Sequence, residues 1–156
     1  MTQDLIEIYA SGGQKLAASV RGLTQADLLA FPVPGTWSIQ QIIIHLKDSE
    51  LIAIDRMQRM IAEDNPLLLG YNETKFAGSL AYDKQSAEVA VTLFDLARKE
   101  FTKVLRTLPE AAFQRRGIHN ERGEVKLGSY LEHMIEHLDH HLKFIQDKRA
   151  RLGKPL

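Results

Sequence analysis

Apolar residues recur at three- and four-residue steps in four long stretches of the chain, each the signature of a helix with one buried face. The first runs from about Asp4 to Arg21, with Leu5, Ile8, Tyr9, Gly12, Leu16 and Val20 in phase. Its Gly12-Gly13 pair costs roughly 1 kcal/mol per glycine against alanine, which predicts a bend or a close helix contact there. Thr24-Gln25-Ala26-Asp27 has the form of a capping box with a carboxylate in the last position, and Pro32, Pro34 and Gly35 close that turn. The second stretch opens at Trp37-Ser38, where Ser38 and Gln41 form an S-x-x-Q box, and continues to about Asp64. Ile39, Ile43, Leu46, Ala53, Ile54, Met57, Met60 and Ile61 make its stripe, and Trp37 and the two methionines read as core packing. A third stretch spans about Ser86 to Thr107 on Ala90, Leu93, Phe94, Ala97, Phe101, Val104, Leu105 and Leu108. The fourth begins near Leu127 and ends near Leu152, with Gly153 and Pro155 as stop signals. All prolines fall outside these segments, as helix interiors require.

Strand signals are weak, with one candidate hairpin at Arg116 to Val125 that turns around Asn120 to Gly123. An all-α four-helix bundle in a single domain, residues 1–156, is therefore expected. One connection is unusual. Asn65 to Gln85 is far longer than a bundle loop, yet it carries Leu67, Leu68, Leu69, Tyr71, Phe76, Leu80 and Tyr82, too apolar to float free. Composition then narrows the function. Twenty Lys and Arg balance 20 Asp and Glu, so no net positive field gathers nucleic acid or an anionic membrane. With no cysteine, disulfides, thiolate metal sites and a cysteine nucleophile are excluded. The start, Met1-Thr2-Gln3-Asp4, lacks the form of a signal peptide, and no apolar run approaches the length of a membrane span. A cytoplasmic protein is the expectation.

The histidines carry the chemistry. Four of the six lie close together at His133, His137, His140 and His141. Imidazoles four residues apart project from one helix face and suit two adjacent positions on one cation. With Leu127 as zero, Leu131, Met134, Leu138, Leu142 and Ile145 fall within roughly 60° of it. His141 lies at roughly 320° and His137 at roughly 280°, bordering that stripe, while His133 and His140 turn toward water at roughly 240° and 220°. The inner pair is the better ligand pair. His45, at the edge of the second stretch's apolar face, is the best third ligand. Three imidazoles from two helices would leave a coordination position open, the mark of a catalytic site. Glu50 stands near the middle of an apolar stripe, so it would orient a ligand imidazole or line an interface; Asp48 points further out. His133 to His137 also spells H-x-x-E-H, but the wheel sets Glu136 in the polar face, away from any ion near His137. His119 reads as a surface residue.

Gly35-Thr36-Trp37-Ser38 through Gln41, followed by His45-Leu46-Lys47-Asp48-Ser49, resembles the first signature of the DinB-like (YfiT-type) metalloproteins. His137-Leu138-Asp139-His140-His141 is similar to their H-x-x-H-H, and Asp64-Asn65-Pro66 through Gly70-Tyr71-Asn72-Glu73 to their crossover. The likeness extends from about Phe31 to Phe144. It implies an up-down-down-up four-helix bundle with long crossover loops, often a homodimer, and a divalent metal on His45, His137 and His141. That ion would be zinc or nickel, with iron, manganese and copper as alternatives. It implies a small-molecule substrate and either metal-dependent hydrolysis or transfer to a low-molecular-weight thiol such as bacillithiol. Tyr71 and Asn72 would wall the substrate pocket. Leu138 and Asp139 stand where close relatives carry further histidine, so the cosubstrate pocket differs. The alternative is a non-catalytic metal-binding bundle with a structural or dimerisation role.

Overall fold

Four long helices do most of the packing in the structure, a computed structural model that describes residues 2–156. They are α1 (Thr2–Ser19), α3 (Ile39–Ala62), α5 (Ala87–Thr107) and α6 (Leu127–Arg151), with short α2 (Gln25–Leu29) and α4 (Glu73–Ser79) between them. The caps read from sequence form. Ser38 Oγ accepts from the Gln41 amide at 3.2 Å while Gln41 Oε1 accepts from the Ser38 amide at 2.9 Å. Thr24 and Asp27 exchange the same pair of bonds ahead of α2. At the other end of the chain Gly153 takes φ +71°, a left-handed turn that ends α6.

Long-range bonds fix the direction of each helix. Gln40, at the start of α3, donates to the Tyr82, Asp83 and Gln85 carbonyls just before α5, so α3 and α5 begin at the same end and run parallel. Arg106 near the end of α5 pairs with Glu7 near the start of α1, and Arg149 near the end of α6 donates to the Ser19 and Arg21 carbonyls after α1. Helices α1 and α6 therefore run together against the other two. The order is up-down-down-up, and the segment after α3 must travel the length of the bundle.

That crossover explains the apolar content of residues 65–85. Leu67–Leu68 forms β1, which pairs parallel with β2 (Arg116–His119); β2 pairs antiparallel with β3 (Gly123–Lys126) as the expected hairpin. Leu68 and Tyr82 are buried in the crossover, whereas Leu67, Leu69 and Leu80 are exposed. The third strand had no sequence signal, because two residues are too few to show a period.

Two apolar clusters fill the bundle. One gathers Met57, Met60, Phe101, Leu105 and Leu131 toward the sheet end; the other gathers Leu16, Ile39, Ile43, Phe94 and Leu138 at the far end. Between them runs a polar layer of Glu50, Arg98 and His45, all buried. Helices α1 and α5 meet closely at this level. A Cβ on Gly12 would stand 2.1 Å from Arg98 Nη1, and one on Gly13 would stand 2.7 Å from Asp95 Cα, so the glycine pair marks a contact rather than a bend. Some stripe positions differ from expectation: Ile8, Leu93 and Val104 are exposed, while Ile6 and Arg98 take the inward places. Apolar periodicity locates a face only to within a residue or so, and the neighbouring helices choose the rest.

Candidate metal centre

His45 comes from α3, and His137 and His141 come from successive turns of α6. One nitrogen of each imidazole lies within 4.8 Å of those of the other two, the only such group of His, Cys, Asp or Glu among the described residues. His45 Nε2 and His137 Nε2 are 3.2 Å apart. Two nitrogens each about 2.1 Å from a common ion, at tetrahedral or right-angled positions, would stand about 3.0–3.4 Å apart. The ring centroids of His45 and His141 are 4.8 Å apart, and those of His137 and His141 4.6 Å.

Electrostatics keep these rings neutral. Burial lowers the pKa of His137 to about 3, helped by the neighbouring His141 and His45 rings, and that of His141 to about 4. Burial likewise lowers His45, against the opposing carboxylates of Glu73 and Asp48. A neutral imidazole has a free lone pair, the form that binds metal. His141 Nδ1 is buried with no hydrogen-bond partner. A buried ring nitrogen without a partner is costly unless something else meets it. The all-imidazole donor set, the 3.2 Å separation and this orphaned atom together fit a borderline divalent cation.

The remaining histidines stand outside the cluster. His133 faces Arg122, with Nε2 3.3 Å from a guanidinium nitrogen, and Glu136 is exposed, so the H-x-x-E-H reading has no geometry behind it. His140 is exposed and packs edge-on against Phe144. His119 is 4% exposed rather than a surface residue. Its Nδ1 accepts from the Glu121 amide at 3.2 Å inside the hairpin, which a loop position in sequence could not reveal.

Glu50 is not an acceptor for a ligand ring. Its Oε2 accepts from Arg98 Nε at 2.9 Å and Nη2 at 2.8 Å, and its Oε1 accepts from the Tyr9 hydroxyl. Arg98 Nη2 also donates to the Met134 carbonyl on α6 at 3.0 Å. One guanidinium thus joins α3 to α6 beneath the three imidazoles. Arg98 went unremarked in sequence, although a charge standing where the α5 stripe wants an apolar residue was the signal, and Glu50 its complement.

Around His45 the neighbours are local and from the crossover. Ser49, one turn on along α3, has Oγ 3.4 Å from His45 Nε2 and is hydrogen-bonded to the Tyr71 hydroxyl. Burial pushes the Tyr71 phenol up to about 12, so it stays protonated. Asp48 accepts from the Tyr82 hydroxyl at 2.6 Å and pairs with Lys47, which ties the crossover to α3. Asn72 does not wall the pocket by a contact of its own: Oδ1 accepts from the Lys75 amide at 2.8 Å as the cap of α4. Trp37 is more than core packing. Half-buried, it tilts against His45 with ring centroids 5.0 Å apart and lines a cavity of about 310 Å³ shared with Val33, Ile42, His141 and Phe144.

Comparison with known proteins follows the same lines. The family model of the DinB superfamily matches residues 9–145. A protein of Bacillus mycoides (strain KBAB4) named as a metal-dependent hydrolase is 29% identical over 139 residues, covering 89% of this chain and 80% of its own length. One of Oceanobacillus iheyensis with the same kind of name is 31% identical over 111 residues, 71% of this chain and 64% of its own. Among solved structures, YfiT from Bacillus subtilis, described as a metal-dependent hydrolase with an unusual four-helix bundle topology, superposes with a TM-score of 0.91. It is 23% identical and covers 97% of this chain and 87% of its own. A mycothiol-dependent maleylpyruvate isomerase superposes with a TM-score of 0.72 at 12% identity, over 92% of this chain and 60% of its own.

Proposed function

Because this chain belongs to the DinB superfamily, we propose that it is a metal-dependent enzyme acting on a small molecule, with the ion held by His45, His137 and His141. The observation that carries the reading is the meeting of three neutral, largely buried imidazoles, one of which, His141, lines a cavity. Imidazole ligands suit zinc or nickel first, with iron, manganese and copper also compatible. When bound, such an ion supplies the positive charge that brings the pKa of water or a thiol toward neutrality. The chain's own residues do the rest. Burial keeps the three rings unprotonated and able to ligate, and Arg98 holds α3 and α6 at fixed spacing. Tyr71, held by Ser49 beside His45, keeps its proton at physiological pH and can donate it as a hydrogen bond to an oxygen that gains charge. Trp37, Ile42 and Phe144 give the adjoining space apolar walls.

Two nucleophiles fit this arrangement. Hydrolysis is supported by the names of the relatives, in which water would form the new bond to carbon and the leaving alkoxide or amine would take the proton. Transfer to a low-molecular-weight thiol is supported by the thiol-dependent structural neighbour: sulfur would bond to an electrophilic carbon while the bond from that carbon to its leaving group breaks, and the thiol's proton would go to the departing group. A homodimer belongs to this reading, supported by the exposed Val89, Leu93 and Leu96 on one side of α5, and light scattering measures it. Metal analysis and thermal melting of wild type and His141→Ala, followed by a panel of esters and of thiols with a chromogenic electrophile, test the whole. Loss of metal with little change in melting and turnover of one panel is the expected result. Loss of metal with a large drop in melting and no turnover would favour a structural ion instead.

A further inference from the structure

The cavity beside His141 is lined by a lysine that metal chemistry leaves unused. Lys148 is 3% exposed and lines the same 310 Å³ space as Trp37 and His141. Among the described residues the one hydrogen bond of its ammonium goes to Thr36 Oγ1 at 2.5 Å, and that hydroxyl donates its own proton to the Val33 carbonyl at 2.9 Å. An ammonium has three protons to place, and a buried one needs acceptors for them or a counter-ion. Asp147 stands on the same wall and attracts the ammonium through space, but its carboxylate makes its hydrogen bond to Arg151 at 3.1 Å rather than to Lys148. The other walls are apolar.

We propose that Lys148, held in place by Thr36, forms the carboxylate-binding end of the substrate pocket, so that the substrate is a short apolar molecule with a carboxylate at one end and its reacting group at the three histidines. This rests on the reading above for which end reacts. The span follows from the helix. His141 and Lys148 are about two turns apart on one side of α6, about 10.5 Å along the axis. Allowing about 2 Å for a ligand bond and about 2.8 Å for the ammonium–carboxylate contact leaves about 5–6 Å, one benzene ring or four to five methylenes. A cavity of about 310 Å³ stands at the low end for small-molecule pockets and suits such a body.

Trp37 is the sole tryptophan and lines the cavity, so its fluorescence reports binding directly. Full-length protein treated with chelator would be titrated with benzoate and hexanoate and with their neutral amides. The acids should bind at least tenfold more tightly than the amides. Lys148→Met should erase that preference, and Lys148→Arg should keep most of it, with circular dichroism reporting the fold of each. Should Lys148→Met unfold, Lys148→Gln, which keeps a polar end without the charge, should erase the preference instead. Equal binding of acid and amide by wild type, or an undiminished preference in Lys148→Met or Lys148→Gln, overturns the proposal. Since no ion takes part, a failure here with metal binding intact sinks the carboxylate end alone. Loss of metal binding with the preference intact would sink the three-histidine reading instead.

Discussion

Replacing Arg98 by methionine leaves the Glu50 carboxylate, 0% exposed, with only the Tyr9 hydroxyl against it. The pair it breaks is close, with Nη2 2.8 Å from Oε2, which at an effective dielectric of 20 corresponds to about 6 kcal/mol of Coulomb attraction. Desolvation of both groups offsets much of that. Removing one partner of a buried pair nevertheless costs about 3–5 kcal/mol, because the other charge is stranded. In a chain of 156 residues each kcal/mol moves Tm by about 2–4 °C, so Arg98→Met should melt about 6–20 °C lower. The double variant Glu50→Leu/Arg98→Met strands no charge and should recover at least half of that loss. A second effect comes from geometry. The same guanidinium bonds Glu50 on α3 and the Met134 carbonyl on α6, the two helices that bear the imidazoles. Affinity for zinc should therefore fall about ten- to hundredfold in Arg98→Met, as it does when groups that orient ligands are lost. Thermal melts of Arg98→Met, Glu50→Leu and the double variant, with zinc titrations, measure both effects. A shift under 2 °C, or a double variant as unstable as the sum of its singles, would refute the argument.

Other outcomes can be stated briefly. His45→Ala and His137→Ala should each lower the bound metal measured by elemental analysis at least tenfold, whereas His133→Ala and His140→Ala should leave it unchanged. For chelator-treated protein the histidine contribution has a definite sign. His137 and His141 titrate near 3 and 4 when folded but near 6.5 when unfolded, so the unfolded chain binds more protons between those values. Their contribution is complete above about pH 6.5 and is lost as pH falls toward 4, so melting followed by circular dichroism should show stability rising with pH across that window; a flat profile would contradict it. Gly13→Ala should cost about 2–3 kcal/mol by chemical denaturation, since its Cβ would press on the Asp95 backbone at 2.7 Å. Gln40→Ala strips the Tyr82, Asp83 and Gln85 carbonyls of their donor, and limited proteolysis should then cut the crossover near residues 80–86 faster than in wild type.

The four long helices, their capping boxes and the selection of His45, His137 and His141 were legible in sequence for one reason. Helical periodicity and side-chain capping are local, so spacing along the chain already states which residues share a face and which end of a helix they close. His137 and His141 could be preferred over His133 and His140 because all four ride on a single wheel. Interactions between elements escape that logic. A wheel tells that Glu50 and Arg98 each point inward, but not that they meet, or that the meeting leaves no carboxylate for a ligand imidazole. The burial of His119, the two-residue strand at Leu67 and the contact of Trp37 with His45 likewise depend on which segment lies opposite. Chain connectivity decided them as well, since the parallel course of α3 and α5 forces a crossover down the whole bundle and carries Tyr71 and Glu73 to the metal end. Local pattern set the parts and their faces; only the packing of distant segments determined what each inward-facing polar group would touch.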